Sequence, residues 1–445
     1  MHHHWTRLSP SGPICKRQHI GNSHLYRCFM TRSAPISSMA QPLALTLAWV
    51  ALVLLIGPWG DFPLNDDWCY AKSVQTLVET GQLKLYNWGE MTLVAHVYWG
   101  ALFAKLFGFS FTVLRVSTLV MGLAAVLGTR ALCKAAGMSG SMSTLGAALL
   151  MLNPVFLDLS FSFMTDVPFT AIVVWACYCF VRAYQSGRIL LLVLGIALTG
   201  WAFLIRQLAL VLPLAWLAGM LIAEPRNTRN LVQALLPTVM LAMLYFGYSY
   251  GMQAAGLLQE RYNDKLGVLA GIAGNLTLKR LINIPGYVVV SLSYLGLFLL
   301  PLALFTNARA HWQRWKWPVL GSLVVLTGVL IATGKTIPTL DNVLIDTGVG
   351  PTTLPDHYGN FTESPAPHAP AWIWRLVTAA GVLGAIGLLL PVLPRLRSLI
   401  QRKKLPATWV FALAFVGIYM APFMVVGIYD RYLITIMPLA LVLTR

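Results

Sequence analysis

The sequence predicts an all-α polytopic membrane protein, and three observations lead to this fold class. The chain of 445 residues is 57% hydrophobic and only 11% charged. Its mean hydropathy is +0.69, and apolar runs long enough to cross a bilayer recur along its length. Soluble domains carry about 25% charged and about 45–50% apolar residues, so an ordinary soluble domain is excluded. A disulfide scaffold is excluded too, because the six cysteines follow no such spacing.

The apolar runs define the individual elements. A membrane-spanning helix needs about 20 mostly apolar residues, and charged residues, proline or glycine mark its ends. Spans are predicted near 41–59, 112–133, 142–157, 168–184, 189–205, 207–223, 231–250, 284–304, 317–333, 371–391 and 407–426, and another begins near 432. Segment 91–108 is shorter, so it predicts either a crossing helix or one along the interface. The sequence therefore predicts about 11–13 transmembrane helices, with further helices in the external loops.

The two ends of the chain differ in character. Residues 1–40 are basic and rich in His and Ser, without apolar periodicity, and they predict a disordered cytoplasmic tail. The alternative is a wrongly chosen start, with Met39 as the true initiator. Residues 41–445 are expected to form one transmembrane domain. Because the last apolar run stops at Arg445, we expect a truncated C-terminus.

The charges predict the orientation of the chain. The net charge of +17 would suggest nucleic acid in a soluble protein, but cytoplasmic loops of membrane proteins accumulate Lys and Arg. With the N-terminus inside, the inner stretches hold 19 of the 32 Lys and Arg residues. All acidic residues except Glu224 fall on the other side. We therefore expect the N-terminus in the cytoplasm, an acidic external face and no nucleic-acid partner.

The first candidate site is the acidic pair Asp66 and Asp67, directly after the first span. The apolar spacing of residues 67–80 predicts an amphipathic helix that ends at Gly81. Asn65 or Asp66 would then be the N-cap, and capping is the structural alternative to a catalytic role. Capping accounts for one carboxylate but not for two beside a membrane, where acidic groups are usually functional.

A second external loop carries Asp166, just before Pro168 and the fourth span. Its alternative role is to stabilise the positive end of that helix. Two loops that present carboxylates to one cavity could instead hold a divalent metal cation or position a general base.

Two arginines lie at external span ends, against the charge bias. Arg206 interrupts two apolar runs, and Arg431 precedes the last span. Each could simply extend its charge to the membrane surface. Together on the acidic side they predict an anionic ligand, because guanidinium groups bind phosphate in a bidentate way.

Two long external loops, 251–283 and 334–370, complete the predicted cavity. The second is rich in Gly and Pro and is either a mobile lid or a solvated connector. As a lid, it would offer His357 and Tyr358 as acceptor contacts.

The order of these motifs resembles the GT-C superfamily of membrane glycosyltransferases. The features are an N-in first span, an external acidic pair followed by a helix with Tyr70, then YWGALFAKLFGFSFTVLRVSTLVMG, then TDVP. The nearest relatives would be the family 39-like enzymes, which include protein O-mannosyltransferases and lipid A aminoarabinose transferases. The resemblance covers about residues 43–206 and, more loosely, the DRY segment near Arg431.

The resemblance implies a role for each candidate residue. Enzymes of that family take a polyprenyl-phosphate-linked sugar at the outer face and invert its anomeric carbon. Asp66 matches the acid likened to the catalytic base, and Asp67 stands where the family often has Glu. Asp166 matches the acid associated with metal or donor phosphate. Arg206 lies where relatives carry Lys or Arg near the phosphate, and Arg431 is expected beside it. Tyr70 is a candidate acceptor contact.

The sequence thus predicts a glycosyltransferase of the bacterial inner membrane, with an external active site. The donor would be a polyprenyl-phosphate sugar, and the acceptor an envelope lipid, glycan or protein. Apart from a divalent metal cation, no cofactor is expected. Two alternatives stay open: a transporter or flippase of a lipid or anionic solute, and an O-antigen ligase or polymerase. The first has less support because no half-to-half repeat is visible. An O-antigen ligase or polymerase would depend less on the acidic pair Asp66 and Asp67.

Overall fold

The structure is a computed structural model that describes residues 5–7, 14–20, 23–29, 36–64, 66–223, 228–262, 267, 271, 278–305, 308–340, 343–346 and 370–445. Helices make up almost all of the described chain after residue 35. The first nine are α1 (Ile36–Ile56), α2 (Asp67–Thr80), α3 (Val94–Phe107), α4 (Phe111–Ala135), α5 (Gly140–Met151), α6 (Pro154–Ser160), α7 (Asp166–Ser186), α8 (Ile189–Ile205) and α9 (Val211–Ala223). The others are α10 (Thr228–Ala254), α11 (Leu278–Phe298), α12 (Leu300–Phe305), α13 (Ala308–Ala332), α14 (Val343–Asp346), α15 (Ala371–Ile400), α16 (Ala407–Val426) and α17 (Leu433–Leu443).

The helices confirm the predicted polytopic membrane fold. Within the described residues, six helices are long and apolar enough to cross a membrane, or seven if the bent pair α5–α6 counts as one span. Five shorter apolar helices accompany them. The count of six or seven applies to the described residues alone, whereas the predicted 11–13 spans refer to the whole chain.

Two breaks in the helices have local causes. The predicted span 142–157 is divided into α5 and α6, which meet at 62°. Asn153 caps α6 by accepting from the N–H of Phe156 at 3.0 Å, and Pro154 occupies the first turn. Proline has no N–H and suits a helix start rather than an interior position. The second break lies at Arg206, whose extended backbone separates α8 from a 3-10 helix at Gln207–Leu210.

Helix α7 runs through the centre of the bundle. Its residues from Asp166 to Val174 are all buried, whereas α1 exposes Leu54 and Leu55 on its surface. Helix α7 packs against α4 and α8, and Trp175 donates to the carbonyl of Ala124 in α4 at 2.9 Å. A helix that is apolar on every side belongs in an interior. The first residue of α7 is therefore held firmly inside the fold.

The N-terminal unit, Met1–Ala44, contains three strands, Trp5–Arg7, Ile14–Ile20 and Ser23–Phe29. They form an antiparallel sheet in which Ile20 pairs with Ser23. For residues 1–40 the sequence predicts a disordered cytoplasmic tail or a wrongly chosen start, and the three strands lie within this stretch. The strands depend on pairing between backbone groups, which apolar periodicity does not report.

Candidate active site

The loop between α1 and α2 is fixed to the start of α4. The guanidinium of Arg115 donates to the carbonyl oxygens of Pro58 at 3.3 Å and Gly60 at 3.0 Å, and also to that of Phe62. In the same region, the Oδ1 atom of Asp61 accepts from the N–H of Phe111 at 2.7 Å. These contacts hold the chain that leads into the acidic pair.

Asp67 connects the loop after α1 to the loop before α7. It is completely buried, its Oδ1 accepts from the N–H of Leu64 at 2.9 Å, and its Oδ2 accepts from the N–H of Phe163 at 3.2 Å. Both carboxylate oxygens therefore hold backbone groups. The two contacts fix the backbone at Leu64 and Phe163, and the catalytic role of Asp67 stays a prediction.

The side chain of Asp66 makes a different contact from that of Asp67. It occupies the N-cap position of α2, as the sequence suggested, but its side chain makes no capping hydrogen bond. Its Oδ1 accepts instead from the indole N–H of Trp88 at 2.7 Å. Capping by the side chain, the structural alternative for this carboxylate, is therefore wrong.

Asp166 and Arg206 form a buried ion pair. Nη1 of Arg206 lies 2.8 Å from Oδ1 of Asp166, and the side chains are 2% and 1% exposed. Nε of Arg206 donates to the hydroxyl of Thr165 at 2.8 Å. The break after α8 places this guanidinium against the start of α7, so it does not reach towards lipid.

Arg431 is the second buried cation of the site. It is 7% exposed and lies over the rings of Tyr429 and Tyr432, at 5.3 and 5.7 Å from their centroids. Burial lowers the pKa of Arg431, but the negative charge of Asp166, with smaller contributions including that of Asp66, more than offsets this and raises it. The guanidinium is therefore charged, and the negative charges of both acids act on it.

Several buried polar atoms of this cluster find no hydrogen-bond partner within the described part of the chain. They are Oδ2 of Asp166, Nη2 of Arg206, and Nε and Nη1 of Arg431. A buried polar group without a partner costs free energy, so such groups in a native fold call for an explanation. Three N–H donors of two cations together suit an anionic ligand with several acceptor oxygens.

Tyr70 lies on the inner face of α2 and is 2% exposed. Its hydroxyl is 4.0 Å from the sulfur of Met91. Burial, with the nearby charge of Asp66, raises the pKa of Tyr70. It therefore stays protonated in this cluster and can donate a hydrogen bond.

Two predicted contacts, His357 and Tyr358, lie outside the described residues. The predicted metal ligand Asp166 is engaged by Arg206. In the described ranges, no group of three or more His, Cys, Asp or Glu side chains comes together as metal ligands. A carboxylate paired with a guanidinium at 2.8 Å is a poor ligand for a divalent cation.

The sequence did not identify two other residues of the site. Trp88 binds Asp66, and Thr165 binds Arg206. Both lie in loops without periodicity, so only their place between the predicted motifs could have indicated them.

Membrane glycosyltransferases of the GT-C superfamily are the class that this fold and cluster resemble. Residues 94–248 match the family model described as dolichyl-phosphate-mannose-protein mannosyltransferase. This match, which covers less than half of the chain, confirms the predicted resemblance and supports a glycosyltransferase. It includes α3, the TDVP turn with Asp166, and Arg206. No curated protein matches the chain in sequence.

Solved structures of two such proteins are similar to this chain. ArnT from Cupriavidus metallidurans in the apo state is 13% identical, with a TM-score of 0.39, over 93% of this chain and 76% of that one. The same ArnT bound to undecaprenyl phosphate gives equal values. The oligosaccharyltransferase AglB from Archaeoglobus fulgidus, in complex with an inhibitory peptide and a dolichol-phosphate, is 14% identical with a TM-score of 0.48. That match covers 92% of this chain, which spans only half of AglB.

Proposed function

We propose that the protein transfers a sugar from a polyprenyl-phosphate-linked donor to a hydroxyl group of an envelope lipid, glycan or protein. Transfer takes place at the outer face of the bacterial inner membrane, with inversion of the anomeric carbon. The observation that carries the proposal is the pair of buried arginines: Nη2 of Arg206 and Nε and Nη1 of Arg431 have no hydrogen-bond partner among the described residues.

The two arginines supply the binding site for the donor phosphate. Arg206 already uses Nη1 and Nε for Asp166 and Thr165, which fixes the plane of its guanidinium. Its Nη2 remains for a phosphate oxygen, and Arg431 contributes Nε and Nη1. The leaving phosphate gains negative charge as its bond to the sugar breaks. Donors fixed in advance inside a protein stabilise such developing charge strongly.

Asp66 is the general base of the proposed reaction. The acceptor oxygen forms a bond to the anomeric carbon while the bond between that carbon and the phosphate oxygen breaks. The electron pair leaves with polyprenyl phosphate, and the carboxylate of Asp66 takes the proton of the acceptor hydroxyl. Attack opposite the leaving group inverts the anomeric carbon. The proposed reaction is written with these residues of the chain alone.

Purified protein in proteoliposomes, with a labelled polyprenyl-phosphate sugar and extracted envelope acceptors, tests the proposal. Asp66→Asn keeps the size of the side chain but cannot take a proton at neutral pH. We expect at least a hundred-fold loss of transfer, on the order of a general base's contribution. The matched control is Asp61→Asn in the same loop, where the amide oxygen can still accept from the N–H of Phe111.

Two results would contradict the proposal. One is near-normal transfer by the Asp66→Asn protein when the Asp61→Asn control is also active. The other is movement of intact labelled donor across the membrane without any release of polyprenyl phosphate, which would identify a transporter or flippase.

A further inference from the structure

The loop between α2 and α3 contains a side chain that contacts the proposed base directly. The indole N–H of Trp88 donates to Oδ1 of Asp66 at 2.7 Å, although the two residues are 22 positions apart. We propose that Trp88 is a positioning residue, which fixes the carboxylate of Asp66 in the orientation needed for proton transfer. This inference rests on the proposed function, because it requires Asp66 to be the base.

The backbone around Trp88 is anchored from several directions. We call residues 86–93 the strap. The amide of Gln207 donates to the carbonyl of Glu90 at 3.0 Å, and the hydroxyl of Tyr248 donates to that of Thr92 at 3.0 Å. The N–H of Leu93 donates to the carbonyl of Ile205 at 3.2 Å. The strap is therefore fixed to α10 and to the break between α8 and α9, beside Arg206.

The indole ring of Trp88 is held on the strap by its neighbours. The guanidinium of Arg261 lies 4.3 Å from the ring centroid of Trp88 and 3.9 Å from the carboxylate of Glu90. The ring of Trp68 is 6.1 Å away and tilted by 43°. A cation over an indole face is an attractive contact. These neighbours limit rotation of the indole, so the N–H stays directed at Asp66.

Burial does not explain the position of Trp88, because the side chain is 46% exposed. An exposed indole N–H could bind water, and an exposed hydrogen bond adds little to the fold. A hydrogen bond to a charged acceptor is stronger and more directional than one between neutral groups. The arrangement therefore serves the acceptor, Asp66, more than the stability of the strap.

The consequence is a specific kinetic effect. Trp88→Phe keeps an aromatic ring for Arg261 but takes away the N–H. The carboxylate then samples other orientations, and its ionised form loses a donor. We expect kcat to fall about ten-fold, which corresponds to the free energy of one charge-assisted hydrogen bond. The acidic limb of the pH–rate profile should move to higher pH. The donor KM should change less than two-fold, since Trp88 does not contact the phosphate site.

The matched control is Trp99→Phe, which also removes an indole hydrogen bond. Nε1 of Trp99 donates to the carbonyl of Ser117 at 3.1 Å, away from Asp66. A purely structural contribution lowers the unfolding temperature in both variants and leaves both pH profiles in place. The inference is overturned if the pH profile of Trp88→Phe does not differ from that of Trp99→Phe. It is also overturned if Trp88→Phe changes only the donor KM.

The result separates this inference from the proposed function. If Asp66→Asn stays active, the proposed function fails whatever Trp88→Phe does. If Asp66→Asn is inactive and Trp88→Phe behaves like the control, only the role of Trp88 fails. Should Trp88→Phe not fold, Arg261→Gln carries the test, because it frees the ring while keeping the N–H. In Arg261→Gln the acidic limb of the pH–rate profile should move to higher pH, by less than is expected for Trp88→Phe. An unchanged acidic limb overturns the inference.

Discussion

Arg206 donates to Asp166 across 40 positions of sequence, through a 2.8 Å contact between two side chains that are almost completely buried. The pair joins the break after α8 to the first turn of α7. This contact explains why an arginine lies between two apolar runs of the sequence. Because each charge compensates the other, neither residue can be replaced alone without leaving a buried charge unpaired.

This relationship predicts a non-additive pattern of stability. Arg206→Met and Asp166→Asn should each lower the free energy of unfolding by about 3–5 kcal/mol, the cost of an uncompensated buried charge. The double variant should be less destabilised than the sum of the two. Thermal and denaturant unfolding in detergent measures the coupling, which we expect to be about 1–3 kcal/mol. Additive losses would show that the pair does not act as a unit.

Arg431 is expected to act on the donor and not on the acceptor. Arg431→Gln removes Nε and Nη1, which have no partner in the described part of the chain, so the donor KM should rise about ten- to a hundred-fold. Arg431→Lys should restore only part of the wild-type donor KM, since Lys lacks the planar arrangement of N–H donors. Donor titration at fixed acceptor measures the effect, with Arg397→Gln as the control on an exposed residue of α15. An unchanged donor curve would contradict the phosphate assignment.

The orientation of the chain gives a third prediction. A cysteine in place of the exposed Lys84, in the loop after α2, should react with an impermeant reagent on intact cells. A cysteine in place of the exposed Lys403 should react only after permeabilisation. Cys69, Cys133, Cys177 and Cys179 are buried, and Cys15 and Cys28 are replaced by Ser in both variants. The opposite labelling pattern would place the acids in the cytoplasm and exclude an external donor site.

Local elements of the fold could be predicted closely from the sequence. The helix over 67–80 and the span over 189–205 coincide with α2 and α8, because apolar spacing and helix-stopping residues are local signals. The bend before Pro154 also has a local signal, which is the proline itself, although one continuous span is predicted over 142–157.

The contacts within the site could not be predicted in this way. Asp66 was identified as a candidate because of its charge and place, but its bond to Trp88 depends on how the strap packs. Asp67 carries the same charge one position later and instead holds the backbone of Phe163, 96 residues away. Sequence patterns report residue types near a membrane surface. Which of two adjacent acids faces inward is decided by tertiary packing.

The last prediction concerns Asp430, which precedes Arg431 and fastens α14 to the site. Its two carboxylate oxygens accept from the N–H groups of Val343 at 3.1 Å and Leu344 at 2.7 Å. Burial raises the pKa of Asp430 to about 7, although these hydrogen bonds and Arg431 act in the opposite direction.

The raised pKa fixes the sign of the pH dependence. Between about pH 4, the ordinary value for Asp, and about pH 7, the folded protein holds a proton at Asp430 that the unfolded chain releases. The contribution of this group to stability is thus fully present below about pH 4 and is lost as the pH rises towards 7. Asp430→Asn lacks this dependence. Between about pH 7 and about pH 5, wild type should therefore gain up to about 1.4 kcal/mol per pH unit relative to the variant. Unfolding in detergent across this range, with Asp61→Asn as the control, measures the difference, and parallel curves for wild type and Asp430→Asn would contradict the assignment.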